Sequence, residues 1–250
     1  SLRPPENRSK LMPQIESLEG AHVAIVALGN SQVDYAIGAE NSMQWDEVWT
    51  VNSAAAVYKS DRMFMLDPAS RFFDTDDAGA QTDVMKKFLP ECDIPCYTCE
   101  LDERVPSAVV YPIKEVVQDT KCAYLNNTIP MTIAFAYWNK VARIDLFGVD
   151  YSYQHNLHFA EAGRACVEFW LAKCMEANIE IGVSHRSGLL DQNVPLEERI
   201  YGFHRLEDPV VAVNHDSGWI ICGNSQIEAE MKKAGAKVPE PVLSPEPYRG

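Results

Sequence analysis

The residues able to do chemistry stand at the ends of apolar runs. Gly29-Asn30-Ser31 closes the run at 23–28, Asn52 and Ser53 close a second, Asp67 a third and Asp150 another, while residues 184–187 (Ser-His-Arg-Ser) follow one more. Glycine lets the backbone turn and expose its amides, and short amide and hydroxyl side chains add hydrogen bonds beside them. Together these types suit phosphate and sugar hydroxyls. Asn126, Asn127 and Thr128 have the same duality: they suit a helix N-cap, and a helix N-terminus also attracts an anion. Taken singly, each residue is equally a helix cap or an Asx turn. Asp67 and Asp150 open a second chemistry, since Mg²⁺ prefers a few carboxylates plus substrate oxygens; the alternative is that both cap helices or turns.

The elements that must position these groups read as alternating strands and helices. Residues 23–28 form an apolar run too short for a helix and suited to a strand buried on both faces. Further strands are expected at 47–52, 62–66, 94–98, 108–111, 143–147 and 179–183. Helices are expected at 129–139, with Pro130 in the first turn, at 160–177 and at 228–233. A late hairpin joins 210–214 to 219–222 through His215-Asp216-Ser217-Gly218. This order predicts an α/β fold: a Rossmann-like, mostly parallel sheet with helices on both faces, plus the late β-hairpin. Residues 1–19 read as an arm, 20–238 as one nucleotide-binding domain, and 239–250 as a proline-rich tail.

In such a sheet ligands sit outside the carboxyl ends of the strands, which is where the polar residues fall. The first turn matches neither standard phosphate pattern. After Gly29 the next glycine is Gly38, so no dinucleotide fingerprint forms, and no Gly-Lys-Ser/Thr follows. Without its neighbours the turn reads equally as a plain strand-to-helix connection.

Composition narrows the partners. The net charge of −14 disfavours duplex nucleic acid and anionic lipid, while leaving room for a local anion site. No apolar run approaches the roughly 20 residues of a membrane span, and no secretory pattern opens the sequence. The 7 cysteines lack small-scaffold spacing, so reduced thiols and a cytoplasmic location are expected. A homo-oligomer is compatible with all of this.

The ordered signals resemble a known family. Gly29-Asn30-Ser31, Thr50-Val51-Asn52-Ser53, Met65-Leu66-Asp67-Pro68, Asn127-Thr128 and Leu146-Phe147-Gly148-Val149-Asp150-Tyr151 resemble bacterial lipooligosaccharide sialyltransferases. They also resemble the motility-accessory-factor proteins and uncharacterised phage-borne relatives. The resemblance runs from about Val23 to about Leu190. It implies that Gly29, Asn30 and Ser31 approach the nucleotide phosphate and that Asn52 contacts the nucleotide. Asp67 stands at an asparagine facing ribose and sugar, and Thr128 keeps the hydroxyl of a serine. His158 precedes Glu168-Phe169 by the spacing of the family's catalytic histidine, which makes it the candidate general base, with Asp150 to orient it or bind ligand hydroxyls. Ser187, Leu189 and Leu190 match a serine-leucine-leucine stretch.

Two positions depart from the family. Its arginine falls at Leu125 and its tyrosine at Ser152, although Tyr151 and Tyr153 flank the latter. Both lost groups would serve the carboxylate and leaving phosphate of a sialic-acid donor. The resemblance therefore implies a glycosyltransferase-like enzyme that takes a CMP- or UDP-type nucleotide sugar, without specifying sialic acid. Transfer of this kind needs no cofactor. A glycan, a small metabolite and a modified nucleobase all fit as acceptor. Two alternatives stay open: a Mg²⁺-dependent pyrophosphokinase-like enzyme, and a non-catalytic nucleotide- or sugar-binding module.

Other constellations carry less. Cys92, Cys96 and Cys99 have iron–sulfur-like spacing but read as partly buried thiols. No metal site is expected there or at His155 and His158. His185-Arg186-Ser187 reads as a local positive pocket or a solvated turn, and Tyr201 to His204 as a loop over the core.

Overall fold

The run behind Gly29 forms an interior strand of a parallel sheet. A computed structural model of the protein describes residues 12–152, 157–202, 208–216 and 218–235. Its strands are β1 (His22–Val26), β2 (Glu47–Val51), β3 (Arg62–Phe64), β4 (Cys96–Thr98), β5 (Ala108–Val110), β6 (Arg143–Phe147) and β7 (Glu180–Val183). They lie in the order β5-β4-β3-β2-β1-β6-β7, and every pairing is parallel.

Burial on both faces explains the sequence of β1. Val23 and Ile25 enter the main core with Trp49, Phe64 and Phe135, while Ala24 and Val26 meet Tyr35 and Phe147 in a second cluster. A third cluster sets Met63 and Met65 against Phe72, Met85 and Leu89. The sheet thus has helices on both faces: α1 (Val33–Glu40), α2 (Ser70–Phe73), α3 (Gln81–Phe88), α4 (Ile113–Thr120), α5 (Thr128–Trp138) and α6 (Leu157–Glu176).

α5 is apolar almost all round because it is buried almost all round, from Pro130 to Trp138 save Met131 and Tyr137. Its Phe135 ring meets Tyr97, Phe64 and Trp49 at centroid distances of 4.8, 5.3 and 5.7 Å. Truncating such a ring costs about 3–5 kcal/mol. That packing fixes the direction of α5 and so the position of its N-terminus.

Element limits shift where backbone chemistry demands it. β4 starts at Cys96, two residues later than expected, because Pro95 has no N–H for the ladder and offers only its carbonyl, to Met63 N at 2.9 Å. α5 starts at Thr128, since the Asn127 side chain accepts from Ile129 N at 3.1 Å and caps it. Residues 12–18, drawn above within an arm, are docked. Gln14 Nε2 donates to Trp138 O at 2.6 Å, Ile15 N donates to Asn139 Oδ1 at 2.7 Å, and Leu18 is fully buried.

The chain divides into two compact units, Ser1–Asn193 and Val194–Gly250. The second contains the expected hairpin, β8 (Val210–His215) paired antiparallel with β9 (Gly218–Gly223), and a helix at Ile227–Lys233. In it the Asp208 carboxylate accepts from Ser225 N at 2.6 Å and from its hydroxyl at 2.9 Å. The expected tail at 239–250, His155 and the Phe203-His204 pair lie outside the described residues.

Candidate functional site

Strand order locates the site. The chain builds outward from β1 through β5, then returns to lay β6 on the other side of β1. Connections leave β1 and β6 in opposite directions, which opens a crevice at their carboxyl ends. A cleft of about 770 Å³ occupies that point. It is lined from four strand ends and one helix start: Gly29 and Asn30 after β1, Asn52 after β2, Asp67 and Arg71 after β3, Thr128 on α5, and Asp150 after β6.

The glycine turn is built around a carboxylate of the chain itself. Asp150 accepts from Ser31 N at 2.8 Å and from the Ser31 hydroxyl, whose oxygen in turn accepts from Gly148 N at 2.8 Å. Gly29 N donates to Gly148 O at 2.7 Å. A Cβ on Gly29 would lie 2.5 Å from Asp150 Oδ2 and 2.6 Å from Gly148 O. Gly29 therefore makes room for Asp150, and the Ser31 amide already has its anion.

Around this knot the other groups face the cleft. Asn52 holds a left-handed backbone, φ +51°, and its Oδ1 is buried with no hydrogen-bond partner. Asp67 pairs with Arg71 at 2.8 Å. The Tyr151 hydroxyl donates to Asn127 Oδ1 at 3.0 Å, and Asn127 Nδ2 donates to Asn126 Oδ1 at 2.8 Å. Gly163 on α6 leaves space for that ring, for its Cβ would meet Tyr151 Cε1 at 2.4 Å.

No family model matches the sequence, and no curated protein does. Solved structures do match. One is the sialyltransferase CstII from Campylobacter jejuni, in complex with the substrate analogue CMP-3FNeuAc. It is 15% identical, with a TM-score of 0.45, and the match covers 85% of this chain and 98% of that one.

The structure brings together Gly29, Asn30, Asn52, Asp67, Thr128 and Asp150. Three expected residues stand elsewhere. Ser31 is buried behind the turn with its hydroxyl spent on Asp150. Ser187 is buried as well; its hydroxyl donates to Val149 O at 2.7 Å and accepts from Leu189 N at 3.1 Å, so it braces the end of β6. His158 is an exposed residue of the first turn of α6, next in the chain to the cleft-lining Phe159.

The residue that the sequence reading passed over is Arg71. Among the described residues it is the one cation lining the cleft. Its signal was the spacing Asp67-x3-Arg71 at a helix start, which sets the two side chains on one face.

The remaining constellations resolve into internal pairings. Asp67 is paired with Arg71, and both Asp150 oxygens accept from Ser31. Among the described residues no three His, Cys, Asp or Glu side chains are grouped to hold a metal, and no helix is long and apolar enough to cross a membrane. Cys92 and Cys96 lie buried with Met85 and Leu89, and burial pushes the Cys96 thiol up to about 12, so it keeps its proton. Arg186 is drawn to Asp34 at 2.7 Å and Ser184 donates to the same carboxylate. Burial opposes the charge on Asp34, but those two bonds outweigh it and hold the carboxyl below its ordinary value.

Proposed function

We propose that the cleft binds a nucleotide sugar of CMP or UDP type and transfers the sugar to an acceptor hydroxyl. One observation carries this reading: Gly29, Asn30, Asn52, Asp67 and Thr128, named from the sequence for nucleotide binding, and Asp150, named beside the base, line one cleft at the switch point. They come from separate elements spread over the chain, and the parallel sheet sets them along its carboxyl edge.

The roles follow from chemistry. Asn52 offers an unused acceptor to a donor group of the nucleotide, and Thr128 offers a hydroxyl at the start of α5. In the reaction the acceptor oxygen bonds to the anomeric carbon. The bond from that carbon to the phosphate oxygen breaks, and its electron pair leaves with the nucleotide. The acceptor proton passes to the His158 imidazole, a side chain able to serve as general base. An exposed histidine beside Phe159 suits an acceptor arriving from solvent. Leu125 and Ser152, where the resembled sialyltransferases carry arginine and tyrosine, leave sialic acid itself unclaimed.

A thermal-shift screen of nucleotides and nucleotide sugars, with and without Mg²⁺, tests this. Stabilisation by CMP or UDP species without metal is expected. Mg²⁺-dependent stabilisation by ATP would replace this reading with the pyrophosphokinase one, and no response to any nucleotide would end both. With a stabilising donor in hand, His158→Ala should keep the shift and lose turnover. Turnover unchanged in that variant removes the base assignment.

A further inference from the structure

A cation at the phosphate strengthens the hold on a phosphorylated ligand through charge-assisted hydrogen bonds. The charged side chains of the cleft lining are Asp67, Arg71 and Asp150. Asp150 is turned onto Ser31, in the room that Gly29 leaves for it, so it is fixed. Arg71 is differently placed. Its guanidinium touches the chain's own Asp67 at 2.8 Å, with the two side chains 41% and 33% exposed. Exposed pairs of this kind are weak and screened by solvent.

The backbone beneath the pair is firm. Phe72, the next residue along α2, is 2% exposed in the core. Arg71 N donates to Pro68 O at 3.0 Å, and Thr98 Oγ1 donates to Asp67 O at 3.1 Å. Only the side chains are left to move. A phosphate monoester or diester oxygen pair matches the planar fork of an arginine as well as a carboxylate does, and a monoester brings more charge.

We propose that Arg71 is the phosphate-binding cation of this cleft, and that Asp67 holds it in place until the nucleotide phosphate takes over the guanidinium. This rests on the nucleotide reading above and adds to it which residue selects a charged ligand over a neutral nucleoside. It also gives Asp67 a role: a carboxylate beside Arg71 keeps the guanidinium aimed at the cleft while its exchange for phosphate stays easy.

Isothermal titration of the full chain with CMP, UMP, cytidine and uridine separates the possibilities. Wild type should prefer nucleotide to nucleoside. Arg71→Ala should lose about tenfold to a hundredfold of nucleotide affinity while nucleoside affinity holds, as expected for a charge-assisted bond. Arg71→Lys should recover only part of it, having charge without the fork. Asp67→Asn should bind nucleotide up to about fivefold more tightly, because the competing carboxylate is gone. If Arg71→Ala keeps the full preference for nucleotide, Arg71 is not the phosphate cation. If Asp67→Asn weakens nucleotide binding, Asp67 meets the ligand itself and does not act as a holder. If no pyrimidine nucleotide binds wild type, the nucleotide reading fails and this inference with it. Arg71→Gln, which keeps the length and loses the charge, repeats the test if the alanine variant melts at lower temperature.

Discussion

Asp150 accepts two hydrogen bonds from Ser31, and the two residues stand 119 positions apart in the chain. The contact ties the turn after β1 to the turn after β6, the two strand ends that frame the switch point. It inverts the obvious meaning of a glycine turn at the head of a helix. The turn presents an amide to an anion, but the anion is a side chain supplied by the neighbouring strand. The cleft floor is therefore built before any ligand arrives, and Asn52, Thr128 and Arg71 line the cleft beside it.

Gly29→Ala should be destabilising and should also weaken nucleotide binding. Its methyl would meet Asp150 Oδ2 at 2.5 Å and Gly148 O at 2.6 Å, and the second of these is backbone that cannot step aside. Overpacking of this kind costs about 1–3 kcal/mol. Gly188→Ala is the matched control: its nearest neighbours lie at 3.9 and 4.0 Å and its backbone is helical, φ −73°. That substitution should be neutral or stabilise by up to about 1 kcal/mol. Urea melts of both variants read the contrast, and equal midpoints for Gly29→Ala and wild type would contradict it.

The contrast also marks what a sequence can reveal. β1 was legible because a strand buried on both faces is an apolar run, and β6 because Ile144, Leu146 and Phe147 lead into Gly148-Val149-Asp150; their polar ends named Gly29, Asn30 and Asp150 of the cleft. α4 was not, since its 8 residues give only two turns with buried Val116 and Thr120 as inward marks. Ser31 and Ser187 were legible as hydroxyls but not in direction. Their partners, Asp150 and Val149 O, arrive from distant parts of the chain. Arg71 was missed for a similar reason, because an arginine in a helix start reads as solvated until the strand end beside it is placed.

Acid should weaken the first unit through Asp145. Burial opposes the charge on this carboxylate, but bonds from Trp45 Nε1, Arg143 Nε and His22 Nε2 at 2.8, 2.9 and 2.7 Å outweigh it and lower its pKa. A value depressed in the folded state means that the unfolded chain binds the proton more readily. The stabilisation is therefore present above the ordinary aspartate value of 3.8 and is lost as pH falls through the lower folded value. Asp145→Asn should cost about 1–3 kcal/mol at neutral pH, since the amide offers fewer acceptor sites to three donors. The gap between variant and wild type should shrink below pH about 4. Denaturation curves taken across that range test the sign; a gap that widens in acid would contradict it.

Thiol reactivity should sort the cysteines by burial. Cys96 and Cys174 are fully buried, and burial pushes both up to about 12, while Cys99 is exposed. The thiolate is the reactive form, so burial protects twice, by access and by protonation. Iodoacetamide at neutral pH should label Cys99 in the native protein and reach Cys96 and Cys174 only after denaturation. Peptide mass spectrometry reads the order, and native labelling of Cys96 at the rate of Cys99 would overturn the placement of β4 in the core.

Asn52→Gly should separate stability from binding. Asn52 holds φ +51° and buries an acceptor that nothing in the protein satisfies. Glycine adopts the left-handed region without strain and removes the orphaned oxygen, which costs about 1–3 kcal/mol when left unpaired. Against this stands the greater backbone entropy of glycine, about 0.5–1 kcal/mol. The variant should thus equal or exceed wild type in unliganded stability by up to about 2.5 kcal/mol, the net of those two effects. If the acceptor is kept for a ligand, the same variant should lose most of the thermal shift that a pyrimidine nucleotide gives wild type. A variant that is stabilised and still takes the full shift would mean that the strain at Asn52 serves the turn after β2 and not the ligand.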